Sequence, residues 1–274
     1  MNLTEYNFPL IIPGGFFNGR VPLATPHTFP SHYELDYLRY LYYLCIMNTE
    51  GDFPIGMSYQ ELIIGFENKN DNCKKKINKI VIGEAPPPNY DNYFYNVHSP
   101  WNIISGNPSI GQGWTSSIKN ALFPGRNFYT KISFLEACAK SGFLFLDLFP
   151  YNISYSNLRG RKTYIDACKS AFGGRDPYPL NIINTLTKIK CCIKSEISIA
   201  FAMNSFGEII LTDKICVENI TNWLTANRIK LISCSSIDDL RLIPIKDSSK
   251  FLCVCGRRYL FSPCSNLLIT AGIR

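Results

Sequence analysis

Short apolar runs alternate with amphipathic stretches along most of the chain after residue 76. The runs that predict strands are 77–82, 143–149, 197–202, 230–234 and, at an edge, 251–255. The stretches with apolar residues at intervals of three and four predict helices at 115–122, 133–142, 163–173, 180–192 and 218–226. Alternating strands and helices favour a parallel sheet with helices on both faces. We therefore expect an α/β fold, a three-layer α/β/α sandwich around a central, mainly parallel four-stranded sheet.

The first 75 residues follow a different pattern. Prolines and glycines recur up to residue 30, which predicts an extended arm without regular structure. Ser31 and Glu34 stand at capping-box spacing, and an amphipathic pattern predicts a helix to about Met47, with its tyrosines as packing residues. Because 274 residues suffice for one large domain, we expect a single domain, 1–274, with 1–75 as its N-terminal arm and helical elaboration.

The loop after the first predicted strand carries the candidate chemistry. The apolar run 80–82 ends at Gly83, and Glu84, three prolines and an aromatic cluster follow. Prolines stop the strand, so the loop lies at its carboxyl end, where ligands bind in open α/β sheets. A second candidate is Asp147, because a carboxylate within an apolar strand is costly unless it is functional or its charge is satisfied structurally.

Two pieces of the chain resemble the uracil-DNA glycosylase superfamily. Gly83-Glu84-Ala85-Pro86 is similar to the first motif of the branch that has GEAPG, and 142–150 is similar to the strand that carries the base-reading residue. The likeness covers about residues 80–202 and does not reach 1–75. It implies DNA as the partner and hydrolysis of the N-glycosidic bond of a base that is flipped out of the helix.

The stretch 174–179 is closer in letters to the other form of that motif, GQDPYH. The family motif follows a buried strand, whereas this stretch follows a predicted helix and two glycines. We interpret it as a turn between two helices.

The resemblance implies roles for the residues of the first loop. Glu84 and Asp91 are candidates for orienting water and stabilising a positively charged sugar, and a helix or loop cap is the alternative for each. Three adjacent aromatic residues would form a wall on which the base stacks, with a core cluster as the alternative. The substrate-binding residues would be Gly83, Ala85, Pro86, Tyr93, Phe94, Tyr95 and Asp147.

In the uracil enzymes that the chain resembles, the position that matches Asp147 is an asparagine, which pairs with uracil. An ionised carboxylate only accepts hydrogen bonds, so it suits the exocyclic amine of a cytosine-type base. If burial raises the pKa of Asp147 enough for the carboxyl group to stay protonated, that group also donates a hydrogen bond to the ring of the base and assists its departure. The resemblance thus implies a glycosylase for a modified cytosine-type base, for example in defence against hypermodified phage DNA. A uracil-excising repair glycosylase and a catalytically silent DNA-binding protein are the alternatives.

The end of the chain departs from the family pattern. The last motif usually carries a histidine, but its counterpart at 261–266 has none, and all three histidines lie in the first 100 residues. Serines in that motif touch DNA phosphate in the family. The DNA-binding candidates are therefore Ser262 and Ser265, with the neighbouring basic pair Arg257 and Arg258.

Charge and cysteine content add to this picture. The net charge of +7 comes from clusters spread along the sequence, including 74–79, 159–162 and 188–194, which would form a footprint for a polyanion if they meet on one face. A solvated basic surface is the alternative. Eleven cysteines without a C-x-x-C pair, a secretion signal or a membrane span indicate reduced thiols and a cytoplasmic location. Cys253, Cys255 and Cys264 lack iron–sulfur spacing, so we expect no metal and no cofactor.

Overall fold

The structure is a computed structural model. It describes residues 32–47, 51–68, 75–87, 89–109, 113–149, 162–173, 182–202, 209–210, 213–231, 250–252 and 258–260. The helices are α1 (His32–Cys45), α2 (Tyr59–Asn68), α3 (Gly113–Leu122), α4 (Lys131–Lys140), α5 (Lys162–Gly173), α6 (Ile182–Lys188) and α7 (Lys214–Ala226). The strands are β1 (Ile77–Gly83), β2 (Trp101–Asn102), β3 (Asn107–Pro108), β4 (Phe143–Asp147), β5 (Ile193–Phe201), β6 (Lys230–Leu231), β7 (Lys250–Leu252) and β8 (Arg258–Leu260). One-turn 3₁₀ helices span Tyr90–Asn92 and Lys190–Cys192.

The central sheet has four strands in the order β4-β1-β5-β6, and all three pairings are parallel. Helices α1, α2 and α4 pack together, and α5, α6 and α7 form a second group. This arrangement confirms the predicted three-layer α/β/α sandwich. It agrees with β1, which is buried at all but one of its positions, as a strand covered on both faces must be.

Helix α1 contributes a layer of tyrosines to the core. Tyr37, Tyr40 and Tyr43 are all buried, as predicted for packing residues. The Tyr40 hydroxyl donates to the carbonyl of Phe143 at 2.6 Å, which satisfies this phenol and fixes the helix to β4. Although the likeness to a known family does not reach it, α1 therefore lies directly on the sheet.

The boundaries of α4 and β4 differ from the predicted ones. Thr130 caps α4: its side chain accepts from the Ser133 amide at 3.1 Å, and its own amide donates to Ser133 Oγ at 3.3 Å. The predicted start at Ser133 was therefore wrong by two residues, because Ser133 lies in the first turn and reciprocates the cap at Thr130. Gly142 ends this connection with a φ of 76°, as predicted. Asp147 is the last residue of β4 and does not lie inside a longer strand.

Other differences concern the second half of the chain. The predicted helix 180–192 is divided between α6 and a 3₁₀ turn, and β5 begins four residues earlier than predicted. The predicted edge strand 251–255 corresponds to β7, which pairs with β8 in a separate antiparallel hairpin. The N-terminal arm 1–30 and the stretch 174–179 lie outside the described residues.

Candidate functional site

Two predicted carboxylates lie at the same carboxyl edge of the sheet. Gly83 pairs with Asp147 in the parallel register of β1 and β4, so Glu84 leaves β1 beside the end of β4. Two further backbone bonds keep the departing chains together, from Leu148 N to Gly83 O at 2.8 Å and from Phe149 N to Glu84 O at 2.9 Å. We use the name carboxyl-edge site for four residues: Gly83, Glu84, Asp147 and Tyr164 of α5.

Gly83 is required by the close approach of its neighbours. A Cβ atom at this position would lie 2.6 Å from Phe145 Cζ and 2.9 Å from Asp147 Oδ1, distances that real Cβ atoms do not show. The glycine of the first loop therefore lets the Asp147 carboxyl group lie directly against the β1 backbone. Any side chain at residue 83 would force the Phe145 ring and that carboxyl group to shift.

Asp147 is partly accessible at the strand end, but its carboxyl group is desolvated. Burial raises the pKa of Asp147 from its usual 3.8 to about 8. Within the described residues this carboxyl group has no hydrogen-bond or ion-pair partner. Asp147 thus holds its proton in most molecules at neutral pH, which is the condition that the sequence hypothesis required of a donor to the base.

Glu84 is half-buried and is held by a residue that the sequence analysis missed. The hydroxyl of Tyr164, a buried residue in the first turn of α5, donates a short hydrogen bond to Glu84 Oε1. Burial and this bond raise the pKa of Tyr164. The sequence signal that could have found Tyr164 is its position in the first turn of the helix after β4. Such a helix starts at the same edge of the sheet at which β4 ends.

The remaining loop residues have structural surroundings. Ala85 is half-buried and Pro86 is buried, and the Tyr33 hydroxyl of α1 donates to Pro87 O at 2.9 Å. Asp91 lies in the 3₁₀ turn with its side chain exposed, and its amide donates to Asn89 Oδ1 at 2.9 Å. Among the described residues its carboxylate forms no hydrogen bond with Glu84. Of the two candidates for orienting water, only Glu84 is therefore built into the carboxyl-edge site.

The aromatic residues after the loop form part of the core. Tyr93, Phe94 and Tyr95 are all buried. The Phe94 ring stacks on Phe145 with centroids 5.5 Å apart, and the Tyr95 hydroxyl donates to Phe145 O at 2.5 Å. The predicted open wall for a stacked base is wrong for these residues, and the alternative of a core cluster is the arrangement seen. Phe94 and Tyr95 thus pack against residues of β4.

The predicted basic clusters are divided between two ends of the sheet. Lys76 N donates to Cys192 O at 2.8 Å, and Lys194 follows the first residue of β5, so Lys76 and Lys194 of the clusters 74–79 and 188–194 both lie at the amino edge. A seven-residue strand separates this edge from Glu84 by on the order of 20 Å. Lys79 is itself buried and donates to Ser141 O at 2.8 Å. Lys162, the first residue of α5, is exposed on the same helical turn as Tyr164.

The candidates near the C-terminus are not placed by this geometry. Arg258 is the first residue of β8. Arg257, Ser262 and Ser265 lie outside the described residues.

In the part of the chain that the structure describes, no group of three or more His, Cys, Asp and Glu side chains could hold a metal ion. None of the described helices has the length and apolar content to cross a membrane. No family model, no curated protein and no solved structure matches the chain.

Proposed function

We propose that the protein is a DNA glycosylase that flips out a modified cytosine-type base and hydrolyses its N-glycosidic bond. One observation carries this proposal: two carboxyl groups stand at adjacent strand ends in different environments, Asp147 with a pKa that burial raises and Glu84 with a hydrogen bond from Tyr164. Such pairs divide the work of acid and base in hydrolysis of glycosidic bonds.

Each carboxyl group has its own task in this reaction. Asp147 gives its proton to the ring of the base as the bond from C1′ to the base nitrogen breaks, and the electron pair of that bond leaves with the base. Glu84 stabilises the positively charged sugar and accepts a proton from the water that attacks C1′. The hydrogen bond from Tyr164 holds Glu84 Oε1 in place, so the carboxylate needs no reorientation.

The protonated form of Asp147 also supports recognition of the base. Its carbonyl oxygen accepts from an exocyclic amine, and its hydroxyl donates to the neighbouring ring nitrogen, which matches the edge of a cytosine-type base. Because a neutral acid group also pairs with the N–H and C=O edge of uracil, uracil is the alternative substrate. A modification at C5 would distinguish the target from ordinary cytosine.

An abasic-site cleavage assay tests the proposal. The DNA panel contains uracil, hypoxanthine, 5-substituted cytosines and hypermodified phage bases, and we expect abasic product from a cytosine-type base. Glu84→Gln should lose turnover and keep DNA binding, whereas Asp91→Asn, with an exposed side chain, should keep both.

Two results would contradict parts of the proposal. Salt-sensitive DNA binding without abasic product from any substrate would favour the silent DNA-binding alternative. Efficient excision of uracil by the wild type, unchanged in Asp147→Asn, would contradict the assigned base.

A further inference from the structure

The segment that follows Glu84 has few backbone groups with which to hold itself in place. Residues 86–88 are three consecutive prolines, which have no amide N–H group to donate. Proline also fixes its own φ angle, so such a run is stiffer than an ordinary loop. A stiff run without donors takes its position from the groups that bond to its ends and to its carbonyl oxygens.

Helix α1 forms two hydrogen bonds with this segment. The Tyr33 hydroxyl donates to Pro87 O at 2.9 Å. Three residues further along the chain, the Tyr90 hydroxyl donates a short hydrogen bond to Asp36 Oδ2. The Tyr33 and Tyr90 rings also pack edge to face, with centroids 5.0 Å apart. Because Tyr33 and Asp36 are three residues apart, a single face of α1 holds the segment at both points.

Asp36 is itself fixed in place. It is buried, and Arg39 Nη1, one turn further along α1, donates to Asp36 Oδ1 at 3.3 Å. The same guanidinium group donates from Nη2 to Met57 O at 3.1 Å, just before α2 begins. The two carboxyl oxygens thus have separate donors, Arg39 for Oδ1 and Tyr90 for Oδ2. A buried carboxyl group with donors on both oxygens is a rigid anchor for the Tyr90 side chain.

Glu84 lies between bonds from both helical layers of the sandwich. Helix α5 bonds to its side chain through Tyr164. Helix α1 belongs to the other layer and bonds to the chain that follows Glu84, at Pro87 and Tyr90. The direction in which the chain leaves Glu84 is therefore set by α1, while the direction of its carboxyl group is set by α5.

We propose that Tyr33 and Asp36 are positioning residues for Glu84, which act on it through Pro87 and Tyr90. The inference rests on the proposed function, in which Glu84 accepts a proton from water. The stiff proline run transmits the position of α1 to Glu84, so the carboxylate stays aligned with the attacking water. The N-terminal helix, which the likeness to a known family does not reach, is then part of the support of the active site.

Tyr90→Phe tests this role, because it removes one hydroxyl group and keeps the ring. We expect the single-turnover excision rate to fall about tenfold to a hundredfold, since a displacement of about 1 Å has an effect of that size. The dissociation constant for substrate DNA should stay unchanged, because neither Tyr90 nor Asp36 is a proposed DNA contact. Tyr33→Phe should lower the rate in the same way but by less, because it loses a bond to an uncharged carbonyl group.

Tyr40→Phe is the matched control on the same helix. It removes the hydrogen bond to Phe143 O, at the opposite end of β4 from Asp147. Its melting temperature should fall, as in Tyr90→Phe, but its excision rate should equal that of the wild type. An equal loss of rate in Tyr40→Phe would show that lost stability is the cause, and it would overturn the inference.

Pro87→Gly tests transmission through the proline run. It makes the run flexible and keeps the carbonyl group that accepts from Tyr33. In this background, Tyr90→Phe should lower the excision rate by a smaller factor than it does in the wild type. Equal factors in the two backgrounds would contradict transmission and overturn the inference.

Amide hydrogen exchange distinguishes failure of this inference from failure of the proposed function. The Phe149 amide donates to Glu84 O, and in Tyr90→Phe it should exchange about tenfold faster, whether or not any base is excised. The Ala202 amide donates to Ile82 O at 2.8 Å near the same edge of the sheet and should keep its exchange rate. A wild type that excises no base would overturn the proposed function, and the exchange rates would still decide the link between α1 and Glu84. An unchanged exchange rate of Phe149 in both Tyr33→Phe and Tyr90→Phe would overturn the inference.

Discussion

Asp147 and Lys131 are two ionisable groups buried in the same domain, and the structure surrounds them differently. Lys131 Nζ donates to Thr115 Oγ1 at 3.3 Å and lies 5.5 Å from the centroid of the Phe94 ring. The rings of Trp101 and Phe134 are each 5.9 Å away. Asp147 has neither a partner nor a ring arrangement of this kind within the described residues. The partners of Lys131 suit a structural group, whereas the lack of any such partner for Asp147 is what its proposed role in the reaction requires.

The difference has opposite consequences for the two pKa values. Burial lowers the pKa of Lys131 from 10.5 to about 7, while the charges of Cys138 and Asp36 oppose this shift. Burial raises the pKa of Asp147 to about 8. Each group is thus biased toward its neutral form, but Lys131 is enclosed and Asp147 opens to the edge of the sheet.

Replacing Lys131 by methionine should give the largest effect. The pKa of Lys131 is lower in the folded than in the unfolded protein, so the wild type should gain stability as the pH rises from about 7 to about 10.5. At pH 6, Lys131→Met should be more stable by up to about 5 kcal/mol, on the basis of about 1.4 kcal/mol per pKa unit. Urea unfolding across this range measures both the gain and its slope.

The control for this variant is Lys140→Met, at the exposed end of the same helix. It should leave the pH dependence unchanged. An equal rise of stability with pH in wild type and Lys131→Met would show that the buried amine is not its source.

Phe94→Ala tests a ring that lies between the surroundings of Lys131 and those of Asp147. Phe94 contacts the Lys131 amine and stacks on Phe145, which lies against Gly83. Removal of so large a buried ring should cost about 3 to 5 kcal/mol in the free energy of unfolding. Ile104→Ala, at a fully exposed residue, should change it by less than about 0.5 kcal/mol. Lost excision at full stability would instead return Phe94 to the role of a stacking wall.

Asp147→Asn should remove a pH dependence of the opposite sign. Because the folded-state pKa of Asp147 is raised, its contribution to stability is present at about pH 4 and is lost as the pH rises to about 8. With allowance for its partial exposure, we expect a fall of about 2 to 3 kcal/mol in the wild type that is absent in Asp147→Asn. Unfolding at pH 5 and pH 8 gives the slope for each, and Asp91→Asn should behave as the wild type.

The features that sequence could predict are those that follow from local pattern and strand direction. The apolar run at 77–82 predicted β1, and parallel pairing then brought the residues after β1 and at the end of β4 to one edge. Glu84 and Asp147 could be placed together for this reason alone. The resemblance added a chemical reaction to that edge.

The features that sequence could not predict depend on which side of an element faces the core. Phe94 was equally suited to a wall and to a core, since an aromatic side chain carries no local signal of its burial. Tyr164 reaches the carboxyl-edge site from a helix whose docking on the sheet depends on tertiary contacts. In the sequence, Lys131 looks like an ordinary exposed lysine in the first turn of a helix, and only the structure shows the aromatic rings around its amine.

Tyr164→Phe should lower activity with a modest effect on stability. It removes the hydrogen bond to Glu84 Oε1 and keeps the buried ring. We expect excision to fall about tenfold, the equivalent of one hydrogen bond of about 1.4 kcal/mol. Single-turnover kinetics on the DNA whose base the wild type excises measure the chemical step. The control is Tyr129→Phe, at a residue that is 79% exposed. Equal rates in all three proteins would mean that Glu84 needs no positioning.

The smallest expected effect concerns the two edges of the sheet and DNA. Lys162 is exposed beside Tyr164 at the carboxyl edge, whereas Lys194 is exposed at the amino edge, where β5 begins. If DNA approaches the carboxyl-edge site, Lys162 neutralises a phosphate and Lys194 does not. Lys162→Ala should therefore reduce the slope of log binding constant against log salt by about one, and Lys194→Ala should leave it unchanged. Both variants remove one positive charge, so a difference between them reports position and not net charge. The opposite result, with Lys194 setting the slope, would place bound DNA at the amino edge, on the order of 20 Å from Glu84 and Asp147.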